Sequence, residues 1–335
     1  MVVNVSRDEQ STLGPAADGE LGQVHAPTFL TPEAEINPPL PDDAPPRPKR
    51  AIDGPAELNV PRGTTVQISQ LPKPSKPRVL VIANQKGGVG KTTSAVNLSV
   101  ALAKGGLKVV LIDVDPQGNA STALGVDHRS GVLGSYELII GDYALVDTLS
   151  DSPESDNLRV VPATIDLAAA ELELVSISGR ERKLANAIDY FLATEPVDYI
   201  IIDCPPSLGL ITVNAMVAAN ELLVPVQAEY YALEGLSQLL KSIDLVKRGL
   251  NNSLRLSTVL ITMFDARTRL SSQVAEEVRR HFPGETLNIM IPRSVRISEA
   301  PGYGMSVINY DPNSIGAHNY RAAAIEIALR TQHQE

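Results

Sequence analysis

The feature that most constrains the fold of this chain is a glycine-rich loop lying between an apolar run and a helical pattern. Residues 79–83 are all apolar, glycine-rich residues 86–90 follow, and residues 92–103 have the pattern of a helix. A short, continuous apolar run before such a loop is typical of a buried parallel strand. Glycines let backbone N–H groups approach an anion closely, and a helix N-terminus attracts negative charge. The order strand, loop and helix therefore predicts a phosphate-binding site at the end of a strand.

The loop matches the general phosphate-loop pattern only in part. That pattern is G-x-x-x-x-G-K-[ST], and here Gln85 stands where its first glycine belongs. We expect Lys91 to neutralise the β- and γ-phosphates and the Thr92 hydroxyl to coordinate Mg²⁺. A plain glycine turn is the alternative, but the flanking elements and the two lysines favour a nucleotide site. The residues predicted to bind the cofactor are Lys86, Gly87, Gly88, Val89, Gly90, Lys91, Thr92 and Thr93.

Three aspartates stand where apolar strands end. Asp113 and Asp115 follow residues 109–112, and Asp203 follows residues 199–202. In an α/β sheet, the carboxyl ends of the strands form the ligand crevice. Residues two apart on an extended segment point to the same side, so Asp113 and Asp115 could both face a nucleotide. A lone aspartate would be interpreted as a helix cap or turn former, but three at strand ends predict carboxylates for Mg²⁺ and water.

From residue 78 onward, strand-like runs alternate with helical patterns. This alternation predicts one α/β domain, a doubly wound and mostly parallel sheet of the P-loop NTPase type. The predicted strands are 79–83, 109–112, 158–161, 199–202, 221–226 and 256–262. The predicted helices are 92–103, 180–193, 208–219, 233–248, 270–281 and 314–330.

The first part of the chain has a different composition. Residues 1–77 hold 14 of the 25 prolines and show no sustained period. We predict a disordered, proline-rich tail there and an ATPase domain over residues 78–335. The tail changes from acidic to basic along its length, and it could be either a solvated linker or a tether for a partner or DNA.

Composition excludes several classes of protein. Cys204 is the only cysteine, so an intrachain disulfide and a cysteine metal cluster are both excluded, and a reducing cytoplasm is expected. An uninterrupted apolar stretch of about 18 residues is absent, so no membrane span is predicted. The net charge is −10, yet residues 247–296 carry nine lysines and arginines against four acids, which makes them +5 and the remainder −15. This asymmetry predicts a local basic patch.

Together these motifs resemble the ParA/Soj chromosome- and plasmid-partitioning ATPases, of the deviant Walker A type within the ParA/MinD superfamily. The resemblance covers nearly all of residues 78–335. It is carried by the runs 83–93 (ANQKGGVGKTT), 113–119 (DVDPQGN), 202–207 (IDCPPS), 225–235 (PVQAEYYALEG), 262–268 (TMFDART) and 291–301 (IPRSVRISEAP).

The resemblance implies ATP and Mg²⁺ as cofactors and a sandwich dimer formed with ATP. Lys86 would be the signature lysine, a catalytic residue that reaches the partner subunit's phosphates, as an arginine finger does in trans. Asp115 would be the second catalytic residue and would position or activate water. Asp113 would support the metal and the switch region, and Asp203 would be the Walker B acid. Pro292 and Arg293 would lie near the adenine.

The resemblance also implies partners. The ATP dimer would bind double-stranded DNA without sequence preference, on the nucleoid of a bacterial cytoplasm, and a ParB-type centromere-binding protein would stimulate hydrolysis. A polar or scaffold partner would suit the tail, which is too proline-rich for a helix-turn-helix domain. The DNA candidates are Arg267, Arg269, Arg293 and Arg296, with Arg279 and Arg280 equally well explained as solvated surface charges.

Two other functions are compatible with the same scaffold. A MinD-like ATPase would end in a basic amphipathic membrane helix, whereas residues 322–335 carry little basic charge and predict a packed helix. The second alternative is a metabolic enzyme, either a relative of the nitrogenase iron protein or a ligase-like ATP user. The single cysteine excludes the cluster-bridging version, that of the nitrogenase iron protein.

Overall fold

The computed structural model describes residues 70–330, which form one sheet of seven strands with helices on both faces. The strands are β1 Arg78–Ile82, β2 Val109–Asp113, β3 Ser150–Asp151, β4 Leu158–Val161, β5 Tyr199–Asp203, β6 Glu221–Gln227 and β7 Arg255–Thr262. The helices are α1 Lys91–Lys104, α2 Asn119–Ala123, α3 Ser135–Ile139, α4 Leu167–Leu174, α5 Lys183–Thr194, α6 Leu210–Ala218, α7 Ala232–Gly249, α8 Arg269–His281, α9 Val295–Glu299, α10 Val307–Tyr310 and α11 Ile315–Arg330.

The strand order brings the predicted site together. It is β3-β4-β2-β5-β1-β6-β7, and every neighbouring pair is parallel except β3 with β4. Strand β5 lies between β1 and β2, and Asp203 at its end pairs in register with Ile82 and with Asp113. The carboxyl ends of these three strands therefore meet. The prediction of a mostly parallel, doubly wound α/β fold is confirmed.

The sheet separates two apolar layers. On one face Val79 and Val81 pack with side chains of α4 to α8, and on the other Leu80 and Ile82 pack with α1 and α11. Because both faces of these strands are buried, their sequences are continuous apolar runs and not alternating ones. The same burial leaves the strand ends as the place where polar groups can gather.

The predicted strands agree with the observed ones to within one residue at each end. The structure adds β3, an edge strand of two residues that is too short to leave a periodic pattern. The helix predicted from residue 180 begins as the 3-10 turn Arg180–Arg182 and continues as α5. The other missed helices, α2, α3, α4, α9 and α10, have four to eight residues and show little period.

The predicted tail lies almost entirely outside the described residues. Of its last part, Leu71 is buried in the layer beside α1, and its N–H donates to the Gly105 carbonyl at 2.8 Å. Residues just before β1 therefore contact the ATPase-type domain. Within residues 70–330, none of the helices has the length and apolarity needed to cross a membrane.

Candidate active site

The loop between β1 and α1 is open on one side. Gly88 and Gly90 have φ angles of 73° and 89°, in the left-handed region that glycine adopts at little cost. A Cβ built on Gly87 or Gly88 would meet no atom within 4 Å. The loop therefore presents backbone to empty space, as a site that takes up a ligand must.

The first turn of α1 can bind an anion. Gly90 is its N-cap residue, so no side chain caps the helix, and the first turn contains no acidic residue. The initial N–H groups of a helix have no partner within the helix, and its dipole places partial positive charge there. The N–H groups of Lys91, Thr92 and Thr93 are therefore available to phosphate oxygens.

Lys91 is a buried cation at this helix terminus, with 7% of its surface exposed. Burial lowers the pKa of its ammonium group, and the nearby carboxyl groups of Asp203 and Asp115 act in the opposite direction. Its Nζ donates to the Lys86 carbonyl at 3.4 Å, a long hydrogen bond. A desolvated ammonium group held this loosely is suited to a phosphate ligand.

Asp203 is a buried carboxylate without a hydrogen-bond partner on either oxygen. Burial raises its pKa well above the usual range, and the charge of Asp113 adds to this. The Thr92 hydroxyl and the Lys91 charge have the opposite effect. Such an orphaned carboxylate beside a hydroxyl fits Mg²⁺, which protein sites bind through one or two carboxylates together with phosphates and waters.

Thr92 and Asp203 are thus the residues that would hold Mg²⁺ once a nucleotide supplies phosphate oxygens. Within residues 70–330, no group of three or more His, Cys, Asp or Glu side chains is arranged to hold a metal ion alone. When bound, Mg²⁺ would neutralise charge on the nucleotide phosphates.

Asp113 is satisfied by the protein itself. Its Oδ2 accepts from the N–H and hydroxyl of Ser121, at 2.9 and 2.8 Å, and its Oδ1 accepts from the Asp115 N–H at 3.1 Å. Burial raises its pKa to about 6 against the effect of these bonds. These hydrogen bonds indicate that Asp113 shapes the loop over residues 115–121. Because both of its oxygens already accept hydrogen bonds, Asp113 has less capacity to ligate a metal directly.

Asp115 is positioned differently. It is 8% exposed, and its Oδ1 accepts the Gln117 N–H at 3.0 Å. Its Oδ2 has no hydrogen-bond partner among residues 70–330. One carboxylate oxygen is therefore free for a water molecule.

Lys86 and Arg293 meet at one carboxylate. Lys86 Nζ lies 3.0 Å from Glu229 Oε2, and the Arg293 guanidinium lies 3.8 Å from Glu229 Oε1. The Arg293 N–H donates to the Phe264 carbonyl at 3.1 Å, beside a bridge between Phe264 and Pro292. The structure thus places the predicted residues Pro292 and Arg293 close to the phosphate loop.

The basic segment 247–296 does not form one patch. Lys247, Arg248 and Arg255 lie where β7 begins, and the candidate DNA residues lie beyond its other end. Eight residues of strand separate the two groups by about 26 Å. Three of the four main candidates are also paired with acids: Arg267 with Asp265 at 2.8 Å, Arg293 with Glu229 at 3.8 Å, and Arg296 with Glu299 at 3.0 Å and Asp311 at 3.4 Å.

Arg269 is the exception among the four main candidates. It is the first residue of α8, it is exposed, and it has no carboxylate partner among residues 70–330. Its charge is therefore the least compensated of the four.

Three side chains without a predicted role shape the site. Asn84 donates to the Pro225 carbonyl at 2.8 Å and accepts the Lys86 N–H at 3.0 Å. Ser121 holds Asp113, and the Thr262 hydroxyl donates to the Val89 carbonyl at 2.8 Å. Asn84 and Thr262 lie inside motifs that carry the family resemblance, which is the only sequence feature that could have indicated a role for them. Ser121 lies outside those motifs, and no sequence feature indicated its role.

We expect Asp203→Asn to raise the melting temperature of the nucleotide-free protein at pH 8 by a few degrees while weakening Mg²⁺-dependent nucleotide binding. The wild-type carboxyl group is buried without a hydrogen-bond partner, and a neutral amide of the same shape is less costly to bury than its charged form. Thermal unfolding with and without Mg²⁺ and nucleotide measures both effects. Asp156→Asn, at an exposed position, is the matched control.

The pH dependence has a definite sign. Asp113 and Asp203 both have folded-state pKa values above those of the unfolded chain. Their contribution to stability is complete below about pH 4 and is lost as the pH rises through the folded values, about 6 for Asp113. Asp203→Asn should reduce this loss in the nucleotide-free protein. If wild type and variant lose stability in parallel between pH 5 and 8, the charge on Asp203 is not destabilising.

Comparison with known proteins gives close matches. A family model described as an AAA domain matches residues 77–256, a span that includes the phosphate loop and the three aspartates. The sporulation initiation inhibitor protein Soj of Bacillus subtilis is 49% identical over 251 residues, which are 75% of this chain and 98% of Soj. The chromosome partitioning protein ParA of Myxococcus xanthus is 49% identical over 255 residues, 76% of this chain and 88% of that protein.

Among solved structures, cobyrinic acid a,c-diamide synthase from Mycobacterium smegmatis, with bound ADP and magnesium, is similar with a TM-score of 0.66. It is 36% identical, and the match covers 77% of this chain and 96% of that one.

Proposed function

This chain belongs to the ParA/Soj family of chromosome-partitioning ATPases, and we propose that it works as an ATP-dependent DNA-binding dimer. It is an ATP hydrolase whose cofactors are ATP and Mg²⁺. In the proposed cycle, the ATP dimer binds DNA without sequence preference. A ParB-type partner on a centromere-like site then stimulates hydrolysis, and the subunits separate and leave the DNA. Chromosome or plasmid segregation is the outcome.

The observation that carries this proposal is the open phosphate loop with one lysine on each side of it. Lys91 is buried and its charge acts on the unpartnered Asp203, whereas Lys86 is exposed. A buried cation serves the phosphates of its own subunit. An exposed one is free to serve those of a second subunit once it leaves Glu229, and an exposed ion pair of this kind contributes only about 0–1 kcal/mol.

The chain's own residues have distinct proposed roles in hydrolysis. Lys91 and the first N–H groups of α1 bind and orient the phosphates, and Thr92 with Asp203 holds Mg²⁺. Asp115 uses its free Oδ2 to orient the attacking water. Asp113 fixes the backbone of the segment bearing Asp115 through the bonds to Ser121 and the Asp115 N–H. Pro292 and Arg293 border the nucleotide on the adenine side.

The DNA surface is proposed to lie at the carboxyl end of β7, with Arg267, Arg269, Arg293 and Arg296. One subunit offers few cations there, and acids pair with most of them, so a monomer makes few phosphate contacts. A two-fold dimer doubles the number of contacts, and affinity rises steeply with the number of phosphates neutralised. ATP-dependent DNA binding follows without any new contact inside the subunit.

We expect Arg269→Ala to weaken DNA binding about equally on all sequences and to reduce the salt slope by about 1. Arg296→Ala should act in the same direction but less strongly, because Glu299 and Asp311 already offset its charge. The measurement is DNA affinity across a salt series with ATP present. Arg129→Ala is the control: it lies outside residues 247–296 and pairs with Asp127 at 2.6 Å.

ATP binding should survive in each of these variants. If substitutions of Arg267, Arg269, Arg293 and Arg296 all leave affinity and salt slope unchanged, the proposed DNA surface is wrong.

The family also suggests where the protein acts. We place it on the nucleoid of a bacterial cell, with a ParB-type protein as its partner. A polar or scaffold protein is the proposed partner of residues 1–77. Pull-down with and without that segment tests this part separately from the ATPase cycle.

Two alternatives make different predictions. A membrane-positioned ATPase would bind liposomes, but α11 packs against α1 through Ala317, Tyr320 and Ala324, which are at most 1% exposed. The second alternative is an amide-forming synthase, because the chain is similar to solved structures of a diamide synthase at 35–36% identity. Its ATP turnover would depend on a small-molecule acceptor and not on DNA, so an ATPase assay with and without DNA distinguishes it.

The experiment that tests the proposed function is DNA co-sedimentation with ATP, with ADP and without nucleotide. Binding should be strong with ATP only. Equal sedimentation in all three conditions would contradict a nucleotide-gated DNA dimer.

A further inference from the structure

The last residue of β7 contacts the phosphate loop from two strands away. Strand β6 lies between β7 and β1, the strand that leads into the loop. Thr262 nevertheless places its hydroxyl 2.8 Å from the Val89 carbonyl and donates to it. Both residues are buried, at 2% and 1% exposure. A hydrogen bond excluded from water in this way is costly to lose.

The Thr262 methyl group lies on the side of Gly90 where a side chain would project. A Cβ built on Gly90 would lie 3.7 Å from Thr262 Cγ2, which is ordinary van der Waals contact. The Thr262 side chain therefore bonds to Val89 through its hydroxyl and fills the space beside Gly90 with its methyl group.

The hydroxyl contact fixes the direction of an N–H group. A peptide unit is planar and trans, so the Val89 carbonyl and the Gly90 N–H point to opposite sides of it. With the carbonyl turned towards Thr262, the Gly90 N–H is turned away from β7. If this peptide rotated, a carbonyl oxygen would replace an N–H group facing the phosphates and would repel them.

We propose that Thr262 is a positioning residue for nucleotide binding, which sets the Val89–Gly90 peptide so that the Gly90 N–H faces the phosphates. The proposal rests on the phosphate-loop function proposed above. Thr262 itself does not touch the nucleotide and acts through the loop.

Backbone hydrogen bonds of the sheet hold Thr262 at the end of β7 and so limit the movement of its hydroxyl. The Thr262 carbonyl accepts the Ala228 N–H at 3.2 Å, which ties the end of β7 to the end of β6. The next residue, Met263, has a φ angle of 51°, and the chain turns away there. Thr262 is thus the last residue held by the sheet, and its side chain can transmit the sheet's rigidity to a loop rich in glycine.

Three substitutions separate the hydroxyl from the methyl group. Thr262→Val keeps the shape and removes the donor, Thr262→Ser keeps the donor and removes the methyl group, and Thr262→Ala removes both. Titration calorimetry with ADP and Mg²⁺ measures affinity without involving dimerisation or DNA. Thermal unfolding of each variant shows that it is folded, and Thr262→Ala keeps the test available if valine does not fold.

We expect valine and alanine to raise the Kd by about tenfold or more, while serine stays within about threefold of wild type. Steady-state kinetics should show the same grouping in KM for ATP, with kcat much less affected. Wild-type affinity in all three variants would overturn the proposal. The proposal would also be overturned if affinity followed the shape of the side chain, with the valine variant binding ADP tightly and the serine and alanine variants binding it equally weakly. Failure of the wild type to bind ADP would instead contradict the phosphate-loop function itself.

Discussion

Lys91→Ala should lower ATP affinity by about 10² to 10³-fold. Lys91 is the buried cation of the loop, and its removal leaves Asp203 facing the phosphates without it. The bound phosphates would lose their buried cationic partner, at a cost of about 3–4 kcal/mol, the lower part of the range for breaking a buried charge pair, which gives the expected factor. Lys86 cannot substitute, because it lies exposed at the mouth of the loop and pairs with Glu229.

Calorimetry with a non-hydrolysable ATP analogue and Mg²⁺ measures this effect. The matched control is Lys104→Ala, at the exposed last residue of the same helix, which should bind as wild type does. An unchanged affinity in Lys91→Ala would show that the nucleotide phosphates are bound elsewhere.

Asp115→Ala should leave ATP binding nearly intact and reduce kcat by about 10² to 10⁴-fold, the usual contribution of a group that positions or deprotonates a nucleophile. The substitution removes the acceptor for the Gln117 N–H but leaves the phosphate loop, Lys91 and Asp203 in place. Because ATP is bound and not consumed, the variant should accumulate as an ATP dimer on DNA.

Single-turnover hydrolysis, ATP affinity and sedimentation with ATP measure the three parts of this prediction. Asp115→Asn is the informative control, since its amide oxygen can still accept the Gln117 N–H while the negative charge is lost. It should be as inactive as Asp115→Ala. Wild-type hydrolysis in the asparagine variant, or failure of the alanine variant to dimerise with ATP, would contradict the assigned role.

Much of this molecule was predictable because local rules decide it. The apolar run before the loop, the glycines and the helix after them specify a strand, a turn and a helix within about 25 residues of each other, and no distant contact is needed. The positions of Asp113 and Asp203 at strand ends were predictable for the same reason. In a parallel sheet the carboxyl ends of all strands lie on the same side, where the ligand crevice forms.

Other features depend on how the chain folds back on itself in three dimensions. Asp113 and Asp115 look equivalent in sequence, but Ser121 folds back onto Asp113 and leaves only Asp115 with a free oxygen. In sequence, the basic segment 247–296 looks like one patch. In the structure, its first basic residues lie at the start of β7 and the main candidate arginines follow the end of that strand.

The sequence by itself therefore determined the fold class, the phosphate loop and the acids at the strand ends, because periodicity and glycine content act over a few neighbouring residues. Only the tertiary structure decided which of those groups are already satisfied and which are free. Thr262 reaches Val89 across 173 positions of chain, and Glu229 reaches Lys86 across 143. The strand order β5-β1-β6-β7 brings these side chains together, and that order is set by packing the two helical layers against the whole sheet.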